Sequence, residues 1–442
     1  MYFPQSTYYL ATPLVITGNL KLHGESGYYD IALTGTVLKP ATVAFTALNP
    51  DAQSSQFAYI KGFAFNGGTN PIDMGRFHGL CVEDCSFVGW SGNAICLYQG
   101  EKHSFRNIFF YPTTGVASSC FSFCKASDST LTLTGTDASM FVDRVLIENC
   151  FLSPVSTAPI NGVQTFIRCG GKFAHVTLQN VVAHSCQQYA FNLNEVAWCN
   201  FANITVDGGG VSGSPQAASF NVGSGGIQSS VFNGMSLSGG TYYRAAGFAL
   251  AGPCYNTVFN GCEFGAGNNT STYGFYWSSL DDGTAEFIRC TGAFFSTMYA
   301  YNAYRGGQSS NMLGCTFSPS NTPQVTASDN SSNDVILASL GGSVTGSVAS
   351  TARASVGFSD GAGNFSIPFY VRKATAWFNG ILSFTNAYGE SIPSIIQVGV
   401  GSPNGVVSAA PGSLYMNTSG GAGNSLWVKE TGVGTNTGWV AK

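Results

Sequence analysis

A six-residue phrase recurs along the chain with the pattern apolar, any, bend, apolar, any, apolar, seen most cleanly within VFNGCEF at Val258–Phe264. The bends fall at Gly62, Asp84, Asn107, Asn149, Asn180, Asn203, Gly234, Gly261, Arg289 and Gly314. All but Arg289 are Gly, Asn or Asp, the residues that best tolerate a left-handed backbone. Two positions before each bend stands an apolar residue, from Ile60, Val82 and Phe105 through Phe232, Phe259 and Met312. One position after it stands another, including Cys85, Cys150, Cys262, Cys290 and Cys315.

The bends are spaced by 22, 23, 42, 31, 23, 31, 27, 28 and 25 residues. A period in the twenties with alternation after each bend is the mark of a β-solenoid, whose coils must stack to share one core. The pattern predicts an all-β, right-handed, single-stranded parallel β-helix of about a dozen coils, ~55–60 Å long at ~4.8 Å per coil. Asn in the bend column is expected to hydrogen-bond along the stack. Asn19 with Leu20 and Leu22, and Asp334 with Val335 and Leu337, extend the register at either end. The 42-residue step leaves room for an irregular coil or insertion around Tyr111–Met140. Beyond Leu340 the register gives way to Gly/Ser-rich sequence. The expected division is therefore a β-helix over 1–340 and a small β-rich capping or trimerisation domain over 341–442, built of short strands and turns.

Composition agrees with flat polar and apolar ladders: only 9% of residues are charged and 56 are Gly. A net charge of −4 argues against nucleic acid as a partner, since such binders present a basic face. No apolar run is long enough for a membrane span, and the N-terminus lacks the pattern of a signal peptide. The chain has 13 cysteines. Five share the inward column, so they are read as small buried hydrophobes and the thiols as mostly free. Phe121–Cys124 with Cys120 has no companion His cluster, and the GSGG run at 223–226 has no strand–Gly–helix context. No metal or cofactor is expected.

Outward positions carry the candidate chemistry. Phe109, Phe151 and Val182 form an apolar stripe, to be covered either by the 111–140 insertion or by a subunit interface. His184 and Asp207 occupy the same register one coil apart, and Glu263 lies two coils beyond Asp207. That puts two carboxylates on one face at roughly 10–12 Å from coil spacing, against the about 6.5–9.5 Å an inverting glycosidase uses. A plain surface pair is the other reading. A second set is Asp281, Asp282 and Glu286, preceded by the aromatic run with Tyr276 and Trp277, with Arg244 and Arg289 nearby and Tyr243 as a further substrate-binding candidate. Aromatic platforms beside carboxylates suit a sugar's apolar face and hydroxyls, and the arginines suit a uronate; a solvated loop tip beside core aromatics is the alternative. Glu195 beside Trp198 is a further candidate, whereas Glu83 at a corner reads as structural.

Two resemblances bear on function. Tyr8–Leu10, Pro13–Ile16, Leu22–Ser26 and Gly35–Leu38 resemble the opening of the pectate-lyase-like β-helices of bacteriophage tailspikes. Pro411–Tyr415, Leu426–Glu430 and Gly438–Val440 resemble the closing segment of phage and prophage tail proteins. Together they imply a homotrimeric, virion-borne receptor-binding protein that binds and depolymerises a bacterial capsule or O-antigen by hydrolysis or lyase elimination. The helix that usually caps the first coil and the segment that attaches to the tail or baseplate are not seen, so a trimmed chain is expected. A non-catalytic adhesin spike and a free-standing polysaccharide lyase are the alternatives.

Overall fold

The structure is a computed structural model. It describes residues 1–26, 30–47, 57–113, 116–153, 162–209, 218–237, 246–265, 273–277, 283–293, 297–303, 308–317, 325–329, 335–339, 354–355, 382–384 and 394–442. Two compact units divide it, Met1–Gly357 and Phe358–Lys442.

The first unit is the parallel β-helix that the bend column predicts. Nine of the bends, from Gly62 to Arg289, have φ between 51° and 73°; Gly314 lies within the strand Gln308–Phe317. The residues two before each bend pair coil to coil without a break, in the order Leu22, Ile60, Val82, Phe105, Ile147, Leu178, Phe201, Phe232, Phe259, Phe287, Met312 and Leu337. That column counts a dozen coils. It also corrects the register at both ends. Leu22 precedes its corner, so Asn19 is not a bend position; Leu337 pairs with Met312, which stands two before its bend, and Asp334 lies outside the described residues.

Each coil has three faces. The first face precedes the bend, as in Ala58–Lys61 and Thr257–Asn260. The second follows it, as in Ala64–Asn66 and Glu263–Gly265. The third returns the chain, as in Asn93–Leu97 and Ala246–Leu250. Inward Phe side chains stack along the axis: Phe201, Phe232, Phe259 and Phe287 have centroids 4.6, 4.7 and 5.0 Å apart. Because each ring packs on its own copy one coil away, the core is continuous across coils too thin to bury anything alone.

The first corner carries a polar ladder. Asn107 Nδ2 donates to Asp84 Oδ1 at 2.8 Å, and Asn149, Asn180 and Asn203 each donate to the Asn before it at 3.2, 3.1 and 3.2 Å. Replacing Asn180 by Ala breaks two of these bonds and puts a β-carbon into a left-handed corner. The expected destabilisation is about 2 kcal/mol, and Asn180→Gly, which keeps the corner, should cost less than half of that. Equal losses in urea unfolding would mean that the ladder contributes nothing.

A second corner, between the third and first faces, was not legible in the sequence. It lies five residues before the bend, at Gly79, Lys102, Arg144, His175, Trp198, Ser229 and Asn256, with φ between 45° and 74°.

The insertion is narrower than its sequence bounds. Val116–Phe123 is a regular third-face strand, and only 124–140 leaves the coil, through short 3₁₀ turns at Ala126–Asp128 and Asp137–Ser139. It closes over the third face. The Asp128 carbonyl accepts from Asn70 and Asn93, and buried Asp73 accepts from Ser129 and Thr130. Beneath it, the Arg168 guanidinium meets the Asp128 carboxylate and donates to Asn93 at 2.9 Å. Burial pushes the Asp128 carboxyl up, against the lowering pull of Arg168 and Ser122. Arg168→Ala strands that carboxylate and is expected to cost about 3–5 kcal/mol at neutral pH. The loss should shrink on acidification as Asp128 takes up a proton, which urea titrations at two pH values would reveal.

The twelve cysteines whose side chains are described are free, and all but Cys81 are buried. Burial raises the thiols of Cys85, Cys150, Cys199 and Cys254 to about 12, so they act as core hydrophobes. In the second unit a mostly antiparallel sheet joins Leu382–Phe384, Ser394–Gly399, Leu414–Asn417, Leu426–Lys429 and Trp439–Ala441. Tyr415 and Trp439 fill its small core.

Candidate functional site

The second face holds the clearest outward pair. The corners at Asn180 and Asn203 start strands in identical register, which brings His184 opposite Asp207, with Nδ1 and Oδ2 3.5 Å apart. The Asp207 side chain is 58% exposed and that of His184 20%. The Phe151 ring meets His184 edge-on at 5.3 Å and stacks on Phe109 at 5.4 Å. Phe109 is buried although it faces away from the core, so the stripe is a small packed cluster that backs the histidine. Further along the same face, Thr205, Ser236, Glu263 and Thr291 share one column. The Ser236 hydroxyl donates to Glu263 Oε2 at 3.0 Å, which orients an otherwise exposed carboxylate. Asp207 and Glu263 therefore stand on one surface, two coils apart.

The remaining candidates lie elsewhere. Glu286 is on the first face, in register with Val258 and Asn311, and Arg289 is a first-corner residue with φ 51°. Tyr276 and Trp277 are on the third face, aligned with Ala249 and with the buried core residue Leu250. Asp281, Asp282, Tyr243 and Arg244 lie outside the described residues. The acids Glu263 and Glu286, which the sequence places near one another, are thus on different faces.

Glu195 and Trp198 meet at the second corner, amid charges that the sequence reading did not assemble. Lys172 Nζ bonds Glu195 at 2.8 Å and lies 4.9 Å from the Trp198 ring centre. The His175 ring stacks on Trp198, with centroids 4.9 Å apart and planes 13° apart, while its Nδ1 meets Asp143 at 2.7 Å. Arg144 bridges Asp143 and Glu101 at 3.3 and 3.2 Å. These residues come from four successive coils. No composition signal marks them, because their corner column holds Lys, Arg, His, Trp and Ser where the first corner holds Asn and Gly.

On the first face, Lys61 pairs with Glu83 and Asp84 at 3.1 and 2.9 Å, and Tyr59 donates to Glu83 at 2.5 Å. The Tyr59 hydroxyl and the Lys61 charge hold Glu83 low, while burial and Glu83 raise Tyr59 to about 12. This is an ion-paired corner brace. Among the described residues, no three His, Cys, Asp or Glu side chains gather as a metal site.

No family profile and no curated protein matches the sequence. Solved structures do. The catalytic domain of GH87 alpha-1,3-glucanase in complex with nigerose aligns over 75% of this chain and 64% of its own, at 13% identity and a TM-score of 0.46. The catalytic unit of the thermostable GH87 alpha-1,3-glucanase from Streptomyces thermodiastaticus strain HF3-3 aligns over 73% and 63%, at 12% identity and a TM-score of 0.36. The Dettilon tailspike protein aligns over 78% and 60%, at 10% identity and a TM-score of 0.26. The chain spans less than two thirds of the length of each, and likeness at this level carries no argument about chemistry.

Proposed function

We propose that the chain is a phage tailspike that binds and depolymerises a bacterial surface polysaccharide, a capsule or an O-antigen, by glycosidic hydrolysis. The observation that carries this reading is the second face, where Asp207, set against His184, and Glu263, held by Ser236, project from coils two apart. In inverting hydrolysis one carboxylate activates water while a carboxylic acid protonates the leaving oxygen, across about 6.5–9.5 Å. Asp207 takes the base role in this reading, its carboxylate standing well exposed beside His184. Glu263 takes the acid role, with Ser236 fixing one oxygen so that the other faces the glycan. Release of reducing ends from a panel of capsular and O-antigen polysaccharides tests the proposal. Products absorbing near the unsaturated-uronate band would assign β-elimination instead.

Homotrimer assembly and a place on the virion tail belong to the same proposal, resting on the resemblance of the two chain ends. The C-terminal sheet lends support, because one of its faces carries Val398, Met416, Leu426 and Val440, all exposed and neighbours across the strands. Contiguous apolar surface of this kind marks an association site. The division of roles into a glycan-handling β-helix over 1–340 and a capping or trimerising remainder is proposed with it. A binding-only adhesin is favoured by one feature: both second-face acids are well solvated, which suits hydroxyl recognition better than proton transfer. Glycan binding without new reducing ends would select that reading.

A further inference from the structure

We infer that the third face carries a binding site for an acidic sugar residue, and that the chain's own strap, 124–140, occupies it in place of the ligand. The floor of this site is polar and buried: Asn70, Asp73, Asn93 and Ser122 are each at most 3% exposed. Asp73 and Ser122 alternate with the core residues Ile72 and Phe121 along their strands, so they face away from the core. The same outward column runs on through Arg168 to Asn192 and Asn221, which lie beyond the strap and are half-buried. The floor is thus the stretch of an outward polar column over which the strap closes.

The way the strap is held points to the class of ligand. Asp128 offers its carboxylate to the Arg168 guanidinium and the Ser122 hydroxyl. Its carbonyl oxygen accepts from the side-chain amides of Asn70 and Asn93 at 2.7 and 2.9 Å. Ser129 and Thr130 donate their hydroxyls, and Thr130 its N–H, to the Asp73 carboxylate at 2.7–2.9 Å. A carboxylate, an acceptor oxygen and hydroxyl donors are also what one hexuronic acid residue presents. A uronate in place of Asp128 keeps Arg168 paired and gives Asp73 its donors, whereas a neutral sugar leaves the buried guanidinium unmatched. Little else holds the strap. Neither 3₁₀ turn buries a residue, and Leu131 and Leu133 are only half-buried; its other moorings are Arg76 at the Thr134 carbonyl and Met140 against the core. Segments with so little buried apolar surface open at low cost. The site goes beyond the proposed cleavage and uses none of the second-face acids.

Titration calorimetry of the full chain tests it, with trigalacturonate and hyaluronan tetrasaccharide as acidic probes and maltotriose as the neutral control. The readout is binding, so an inactive second face leaves the result standing. Asp128→Asn withdraws the strap's carboxylate from Arg168. It should raise the apparent affinity for at least one acidic probe about tenfold over wild type, because the site is less often filled by the strap. Adding Arg168→Gln should abolish that binding, and the double variant leaves neither member of the buried pair unmatched, which guards its folding. Cys96, in register between Asp73 and Ser122 and buried with them, reports on the strap itself. Its labelling by a maleimide should quicken about tenfold in Asp128→Asn, while Cys85 and Cys150 of the core stay protected. An acidic-probe affinity no higher in Asp128→Asn than in wild type would overturn the inference. So would equal binding of maltotriose, binding that survives the loss of Arg168, or Cys96 labelling as slow as in wild type.

Discussion

Asp207→Asn and Glu263→Gln are each expected to lower the rate of polysaccharide cleavage by about 10²–10⁴-fold, the span that a positioned acid or base contributes. Both side chains are exposed and lie outside the packed core. Neither change opens a cavity, and unfolding free energies should stay within about 0.5 kcal/mol of wild type. That combination separates a chemical role from a structural one. His184→Asn should have a smaller effect, since it leaves the Asp207 carboxylate in place and removes only its neighbour at 3.5 Å. Initial rates of reducing-end release measure all three. Unchanged rates in both acid variants would remove the second face from the mechanism and turn attention to the acids of the second corner.

The second large effect concerns stability in mild acid. His103 is buried, and its Nδ1 accepts the Leu80 backbone N–H at 3.2 Å. Burial, with a smaller push from His78, lowers this imidazole from 6.5 to about 3. The unfolded chain therefore binds a proton at His103 more readily than the folded one. The histidine's contribution is complete above its unfolded value and is lost as pH falls from about 6.5 towards 3, amounting at most to about 5 kcal/mol at ~1.36 kcal/mol per pH unit. Asp84, Glu83 and Asp30 are held low: tyrosine and lysine partners hold Glu83 down, while burial is outweighed by hydrogen bonds from Thr34, Gly35 and Ser26 at Asp30 and by Asn107 and Lys61 at Asp84. Their stabilisation is lost too, but mainly below the ordinary carboxylate range. The interval between pH 6.5 and 4.5 is therefore diagnostic of the histidine. His103→Asn, whose side-chain oxygen can still accept from Leu80, should flatten the stability profile there in urea titrations. An unchanged slope would show that the buried imidazole is not the group lost to acid.

The fold was legible because one column of the sequence is chemically constrained. A left-handed corner repeated coil on coil selects Asn, Asp and Gly, and the alternation after it then assigns every inward cysteine and phenylalanine. The second corner escaped notice because its residues reach the same backbone angles with Lys102, Arg144, His175 and Trp198, side chains that carry no turn signal. Its ion pairs were hidden for the same reason, most of them joining residues 23–43 apart with no shared motif, such as Lys172 with Glu195 and Glu101 with Arg144. His184 opposite Asp207 could be read in advance, since both count from the bend. Glu286 and Trp277 could not be placed by that ruler. They belong to the first and third faces, and their nearness to Glu263 in sequence is not nearness on one surface. The register also failed at its ends, where Leu22 and Leu337 fit an alternating pattern in either phase and only strand pairing fixes the choice.

The claim that the β-helix degrades a glycan is tested most directly by the size distribution of a host surface polysaccharide before and after incubation with the full chain. The second-face arrangement predicts a shift to short oligosaccharides whose masses carry one added water per bond cut, abolished in the Asp207→Asn/Glu263→Gln double variant. A polysaccharide that binds the chain yet keeps its full length across the cognate host's capsule and O-antigen would contradict it.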